Sequence, residues 1–499
     1  MSLGATPYPA AGAAPCAVAS RPWVLAATIG ASAMAFIDGS VVNIALPVLQ
    51  RDLGAGIGQL QWVVNGYNLL LASLLLIGGA AGDRFGRRRV FVTGTAVFAV
   101  ASAGCALAPG IEALIAARAA QGFGAALMVP QSLAIISAAF PAEIRGRAIG
   151  TWAGAASIST ALGPAVGGFL IDGLGWRSAF WINLPLAVAV IVLARAHVPE
   201  SRSPAAGPLD WAGAALAVAA SALLSLGLGA MAGPEASGWR AAAMVAAGLA
   251  AVAAFVRVER RAAAPLVPPS LFASRAFTGA NVLTLCLYGS LSGVLFLLPF
   301  ELVGRRGLTA AEVGLVLLPV GLVIGIIARP AGTMADRLGV RGFLFAGSAC
   351  VAVATGWIGL AAGGLAVAVV LPLLLLALGM ALVVAPLTTT VMNAAPDALS
   401  GAASGVNNAA SRLAGLIAVA LVAALAGLVF AASAEVSGAR FGVIPEPGDP
   451  AAAAIAAAFD RAWRAGVLAT SVMAGLGAVV ALAMPGRPPA PAKNSGGAS

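Results

Sequence analysis

Apolar residues run along this chain in long blocks rather than alternating. Fourteen blocks are long enough to cross a bilayer, for which roughly 20 residues suffice. They fall at about 23–49, 60–81, 90–108, 112–139, 147–171, 178–196, 209–231, 239–257, 277–303, 311–333, 342–362, 364–391, 402–431 and 462–485. Between the second and third blocks the chain reads GAAGDRFGRRR (79–89), and between the tenth and eleventh GTMADRLGVRG (332–342). Both fit G-x-x-x-D-R-x-G, so the chain contains a repeat of six blocks with two more inserted between the copies. The pattern predicts an all-α integral membrane protein of fourteen transmembrane helices, built as two pseudo-symmetric six-helix bundles plus two inserted linker helices. The bundles are expected over 23–196 and 277–485. The linker helices, with a Pro- and Arg-rich cytoplasmic loop, are expected over 197–276. Residues 1–22 and 486–499 read as disordered cytoplasmic tails, and 432–461 as a polar outer loop.

Composition agrees with this reading. Of 499 residues, 61% are hydrophobic and 9% charged, against about 25% charged in soluble domains. The net charge of +10 marks topology, since no basic domain exists to bind nucleic acid. With the N-terminus placed in the cytoplasm, about twice as many Lys and Arg fall on that side as on the other, as the positive-inside rule requires. The chain is therefore expected in the plasma (inner) membrane with both termini cytoplasmic. The four cysteines are scattered, the one histidine, His197, sits in a charged connector, and no loop is large enough for a catalytic domain. A polytopic enzyme or sensor is a remote reading, and no metal site is expected. No G-x-x-x-x-G-K-[ST] is present, which excludes ATP drive by this chain.

One acid, Asp38, lies near the middle of the first block. A charge at mid-membrane costs about 2.5–3.5 kcal/mol on insertion scales, so it belongs in the bundle interior or a wet cavity. Hydrocarbon disfavours its charged form and a nearby cation favours it. Arg118, in the fourth block, is such a cation and stays charged at any accessible pH. Together they would let Asp38 bind and release a proton, with Gln121 on the same helical face. The alternative is a structural acid that never titrates.

The motifs resemble those of the major facilitator superfamily. GAAGDRFGRRR is similar to its loop signature, with Ala81 in place of the usual Leu. IDGSVVNIALP (37–47), LQWVVNGYNL (60–69), LIAARAAQGFGAA (114–126), LGPAVGGFL (162–170) and WRSAFWINLP (176–185) resemble its fourteen-helix drug:proton antiporter branch. The resemblance spans about residues 20–485. It departs at Ser159, where Gly is usual. It departs also at Arg412, where many relatives have Arg-Gln one step earlier, and at Glu301, commonly Gln.

The resemblance implies a proton-coupled antiporter that exports amphipathic small molecules by alternating access. It would be driven by the proton-motive force without a cofactor, with membrane lipids and no obligate protein as partners. Export of one endogenous metabolite, or proton symport, remain as alternatives. Asp38 and Arg118 are then the proton-coupling residues. Gly79, Asp83, Arg84, Gly86, Asp336 and Arg337 form a latch between the halves, while the arginines 87–89 are accounted for by topology and anionic lipid. Gly163, Pro164, Gly167 and Gly168 form the antiporter motif, whose small residues four apart let helices approach closely; it acts in packing or in gating. Candidates for the substrate cavity are Asn43, Trp62, Asn65, Tyr67, Gln121, Tyr288, Glu301 and Arg412. Trp62 doubles as an interface anchor, Glu301 as a solvated helix end, and Arg412 as a helix cap.

Overall fold

The structure, a computed structural model, describes residues 16–202, 210–230, 238–262, 265–361, 363–396, 399–433, 441–442 and 451–484. Among them fourteen helices are long and apolar enough to cross a membrane, and there is no strand. Helix is the form dictated by such sequences, because a backbone in hydrocarbon must satisfy its own hydrogen bonds. The first six helices are α1 (Arg21–Leu53), α2 (Ile57–Phe85), α3 (Arg87–Ala106), α4 (Ile111–Ala139), α5 (Ala142–Leu174) and α6 (Ser178–His197). The inserted pair is α7 (Trp211–Ala230) and α8 (Gly238–Glu259). The second six are α9 (Arg275–Pro299), α10 (Ala310–Leu338), α11 (Val340–Leu360), α12 (Leu371–Asn393), α13 (Ser400–Ser433) and α14 (Ala452–Ala483).

The repeat reappears as geometry. Gly86 between α2 and α3 has φ +111°, and Gly339 between α10 and α11 has φ +98°. Both lie in the left-handed region that favours glycine, at the same place in the two copies. Several helices run past the hydropathy reading, two of them through polar turns at their starts. The expected outer loop 432–461 is already helical from Ala452, and α5 begins at Ala142 rather than 147. Polar residues such as Asp460, Arg461, Arg145 and Arg147 hide these turns from an apolar count, while the alanines around them favour helix. His197, read as a connector residue, closes α6 and stacks on Trp23 with ring centroids 5.5 Å apart.

The two halves are joined toward one end. There α5 and α10 cross so closely that a Cβ on Gly168 would strike the Ala310 carbonyl, one on Gly314 the Pro164 carbonyl, and one on Gly321 Ala161. Across the same seam the Asp172 carboxylate accepts from the backbone N–H of Ala310 (3.1 Å) and of Ala311 (2.7 Å), capping the start of α10. Gln50 donates to the Phe441 carbonyl at 2.8 Å. A single apolar core joins this end of the first half to the second half, where it continues along the whole bundle. Toward the other, arginine-rich end, α5 and α10 part company. A Cβ on Gly146, Gly150 or Gly154 of α5, or on Gly325 of α10, would meet nothing within 4 Å. There the first half keeps a separate core of its own, around Met34, Tyr67, Phe91 and Phe98.

The inserted α7 lies against α2 and α13, over the seam. Asn65 donates to Ser225 Oγ (2.9 Å) and to the Leu416 carbonyl (3.1 Å), so one amide on α2 holds both α7 and α13.

Candidate functional site

Asp38 sits on α1 and Arg118 on α4, and each is 1% exposed. They meet because α1 and α4 pack as neighbours within the first bundle. Arg118 Nη1 donates to Asp38 Oδ2 at 2.5 Å and to Gln121 Oε1 at 2.6 Å, and Nε donates to the Val63 carbonyl at 3.1 Å. The guanidinium also lies over the ring of Tyr67, 4.4 Å from its centroid. Gln121 Nε2 donates to Asp38 Oδ1 and to Ser102 Oγ, both at 2.8 Å. Asn183 Nδ2 faces the same two atoms at 3.3 Å each. Both carboxylate oxygens are thus engaged, and four helices (α1, α3, α4 and α6) contribute side chains to one closed cluster. A buried ion pair is tolerable only with such additional hydrogen bonds, since desolvation otherwise outweighs the attraction.

Sequence reasoning named Asp38, Arg118 and Gln121 but passed over Ser102 and Asn183. Asn183 lay inside the quoted run WRSAFWINLP, and an amide within an apolar span was the available signal. Three residues assigned to the cavity have other places. The Tyr67 ring packs under Arg118 and its hydroxyl donates to the Ala35 carbonyl at 3.3 Å, so it walls the ion pair. Asn65 is fully buried where α2 meets α7 and α13, its amide nitrogen committed to both. Gln121, also offered as a cavity residue, is enclosed with Asp38.

The remaining cavity candidates are partly exposed or engaged elsewhere. Asn43 bonds back to the Gly39 carbonyl, and Trp62 lies half-buried in the second turn of α2. Tyr288 on α9 is half-buried. Arg412 on α13 stands over the Phe36 ring of α1, 5.8 Å from its centroid, so it faces the opposite half and caps no helix end. Glu301 is not a solvated helix end: it is 1% exposed, in a π-helical turn (Phe300–Arg305). It accepts from Arg305 Nη2 at 2.6 Å and Arg306 Nε at 2.9 Å.

The Gly-Pro-x-x-Gly-Gly run of α5 touches α1, the helix that carries Asp38. A Cβ on Gly163 would collide with Ser40 and crowd Ile37, and one on Gly167 would meet Val41. The same helix α5 presents Pro164 and Gly168 to α10. The motif therefore forms the joint between the second half and the turn of α1 that carries Asp38.

At the arginine-rich turn, Asp83 Oδ1 accepts from Arg87 Nε (3.0 Å) and Nη2 (2.7 Å), within its own half. Gly86 leaves room for Glu200, whose Oε1 accepts from the Arg88 backbone N–H at 3.1 Å. A carboxylate there complements the start of α3, and no motif had pointed to it. Gly79 is half-buried near Pro130, while Arg84, Asp336 and Arg337 are exposed. In this state the latch residues do not bridge the halves through any described ion pair.

A family model described as Major Facilitator Superfamily matches residues 28–220 and 211–419. The chain is 35% identical to Multidrug resistance protein Stp of Mycobacterium tuberculosis, over 83% of this chain and 77% of that protein. It is 34% identical to the Tetracenomycin C resistance and export protein of Streptomyces glaucescens, over 81% and 76%. With the Probable actinorhodin transporter of Streptomyces coelicolor the identity is 37%, over 81% and 72%. Among solved structures, a bacterial homolog to the human lysosomal transporter Spinster, in an inward-facing and occupied conformation, superposes with a TM-score of 0.70. That match has 15% identity and covers 94% of this chain and 97% of the other, so it speaks to the fold alone. Fourteen apolar helices in two repeated halves, the match of the family model and relatives of this identity lead to one conclusion: this multi-pass membrane protein belongs to the major facilitator superfamily.

Proposed function

We propose that the chain is a proton-coupled exporter of amphipathic small molecules that works by alternating access. The observation that carries this reading is the enclosed Asp38–Arg118 pair, set in the α1 turn against which the α5–α10 joint packs. The relatives' names, which speak of multidrug resistance and of antibiotic export, favour outward transport of small amphipathic compounds.

Asp38 faces three donors, and a proton on either oxygen removes the charge that holds Arg118. Arg118 has other places to rest, at the Val63 carbonyl, at Gln121 and over Tyr67. An unpaired carboxylate in a dry interior is costly. Withdrawal of Arg118 and arrival of a proton at an Asp38 oxygen therefore go together, and the reverse step expels the proton. Because Gly163 and Gly167 abut Ile37, Ser40 and Val41, sliding of α5 against α10 moves the α1 turn that holds the acid. The membrane potential supplies about 2.3 kcal/mol per charge per 100 mV.

By the positive-inside rule the arginine-rich end faces the cytoplasm, which makes this the state open for loading. Both termini then lie on the cytoplasmic side of the plasma membrane. Asn43, Tyr288 and Arg412 are the side chains that remain for a substrate between the halves.

The test uses inverted vesicles and the Asp38→Asn variant. A toxicity panel in an efflux-deficient host, with and without an uncoupler, first identifies a substrate. Wild-type vesicles then release lumenal protons as substrate enters, and Asp38→Asn vesicles do not. Wild-type stoichiometry in the variant overturns the assignment, and proton movement in the same direction as substrate replaces antiport with symport.

A further inference from the structure

At the arginine-rich end a cavity of about 460 Å³ opens between the first half and the inserted hairpin. It is lined by Ala81, Arg84 and Phe85 of α2, Arg89, Val90 and Thr93 of α3, and Leu127 of α4, and it is closed by Arg202 and Trp211. The walls are apolar, and three arginines are the only charged residues among those that line it. Two acids lie nearby, and Glu200 keeps one oxygen without a hydrogen bond, 3.9 Å from Arg88 and 3.8 Å from Arg89. Asp83 is bound by Arg87, and Glu200 accepts from the backbone of Arg88 and Ser201. Arg84 rests on the Phe85 ring at 5.8 Å, and Arg89 reaches Glu200 only at 3.8 Å with its side chain 69% exposed. Phe85 and Trp211 are 51% and 64% exposed beside them, and such aromatics sit at the headgroup level of a bilayer.

An apolar slot rimmed by three guanidinium groups, of which only Arg89 has a described carboxylate within ion-pair distance, fits one kind of molecule. It must carry an acyl chain and an anionic head. We infer that the cavity holds one anionic glycerophospholipid of the same leaflet, its phosphate between Arg84, Arg89 and Arg202 and a chain against Val90, Leu127 and Trp211. The site draws on both α2–α4 and the hairpin, so the lipid fastens the inserted helices to the first half. Free phosphate satisfies the arginines but leaves the apolar walls uncovered, so it is a poorer occupant.

Native mass spectrometry of the purified full chain in mixed micelles of phosphatidylglycerol and phosphatidylcholine tests this. Each arginine near the headgroup contributes about fivefold. Wild-type protein is therefore expected to retain one phosphatidylglycerol in preference to phosphatidylcholine by at least tenfold. The triple variant Arg84→Gln, Arg89→Gln, Arg202→Gln is expected to fall to within twofold. A control triple variant, Arg145→Gln, Arg147→Gln, Arg341→Gln, removes the same charge from the same end and should keep the preference. Trp211→Ala should weaken retention of both lipids. Equal loss in the control, no preference in wild type, or displacement of the lipid by millimolar inorganic phosphate would overturn the site. A triple variant that is unfolded shows itself by its melting profile, and Arg202→Gln alone, outside every helix, then decides through a loss of about fivefold.

Discussion

Between α1, α3, α4 and α6 of the first half lies an acid, a guanidinium, two amides and a hydroxyl, all buried. In the second half, α13 meets α9 through a cluster that carries no charge: Asn407 donates to Thr284 Oγ1 at 2.8 Å and to Asn281 Oδ1 at 3.3 Å. The halves share a repeat, a turn with a left-handed glycine and a six-helix plan, yet their interiors differ in kind. Amides and hydroxyls hold helices together by about 1 kcal/mol per bond and ask nothing of the membrane potential. A buried ion pair is a poor way to gain stability. Among the described residues the second half has its own buried acid, Glu301, but at a helix end beside partly exposed arginines. Asp38 and Arg118 are both enclosed in mid-span, which is why the proposed coupling is assigned to the first half. The second half then supplies the opposing surface, through α10 against α5 and α13 against α2 and α7.

The comparison breaks first at Arg118. Arg118→Ala leaves Asp38 buried without a cation, which costs about 3–5 kcal/mol. Folded protein should fall steeply in size-exclusion profiles, and Asp38→Asn in the same chain should recover it without recovering proton coupling. Full folding of the single variant at alkaline pH, where protonation of Asp38 is disfavoured, would show that the pair is not enclosed in the membrane. Next, Gly168→Val forces a side chain into the Ala310 carbonyl, an overpacking of about 1–3 kcal/mol. The joined end should open, and transport should drop roughly tenfold while the protein still extracts as a monodisperse species. Asp172→Ala removes a cap that crosses the seam, worth about 1 kcal/mol. Spin-label distances between the free ends of α5 and α10 should report a shift of about fivefold in the population of this state. The smallest effect belongs to Asn407→Ala, about 0.5–1.5 kcal/mol in melting and none in proton stoichiometry. If it uncouples transport as Asp38→Asn is expected to do, the asymmetry between the halves is not functional.

Much of the plan was legible because membrane insertion writes it locally. A block of about 20 apolar residues must become a helix, and the two D-R-x-G turns announced the repeat. Asp38 and Arg118 stood out for a related reason, since charge in an apolar block demands a partner. The polar residues that hid the first turns of α14 and α5 were illegible to the same logic. Asn65 and Tyr67 show the other limit. Both looked suited to a cavity by residue type, but a helix in a bundle has neighbours on every side. One turned to the inserted α7 and the other under a guanidinium.

By itself, then, the order of residues determined the helix count, the doubling of the fold, the inserted pair and the identity of one acid and one base in hydrocarbon. Those follow from hydropathy and from the cost of charge, which act residue by residue. Only the tertiary structure decided that Asn183 and Ser102 complete the cluster, that Glu301 is held by two arginines, and that the halves close at one end and part at the other. Each of these is a contact between segments far apart in the chain. No local pattern encodes such a contact, because it depends on which helix faces are left over once the rest have packed.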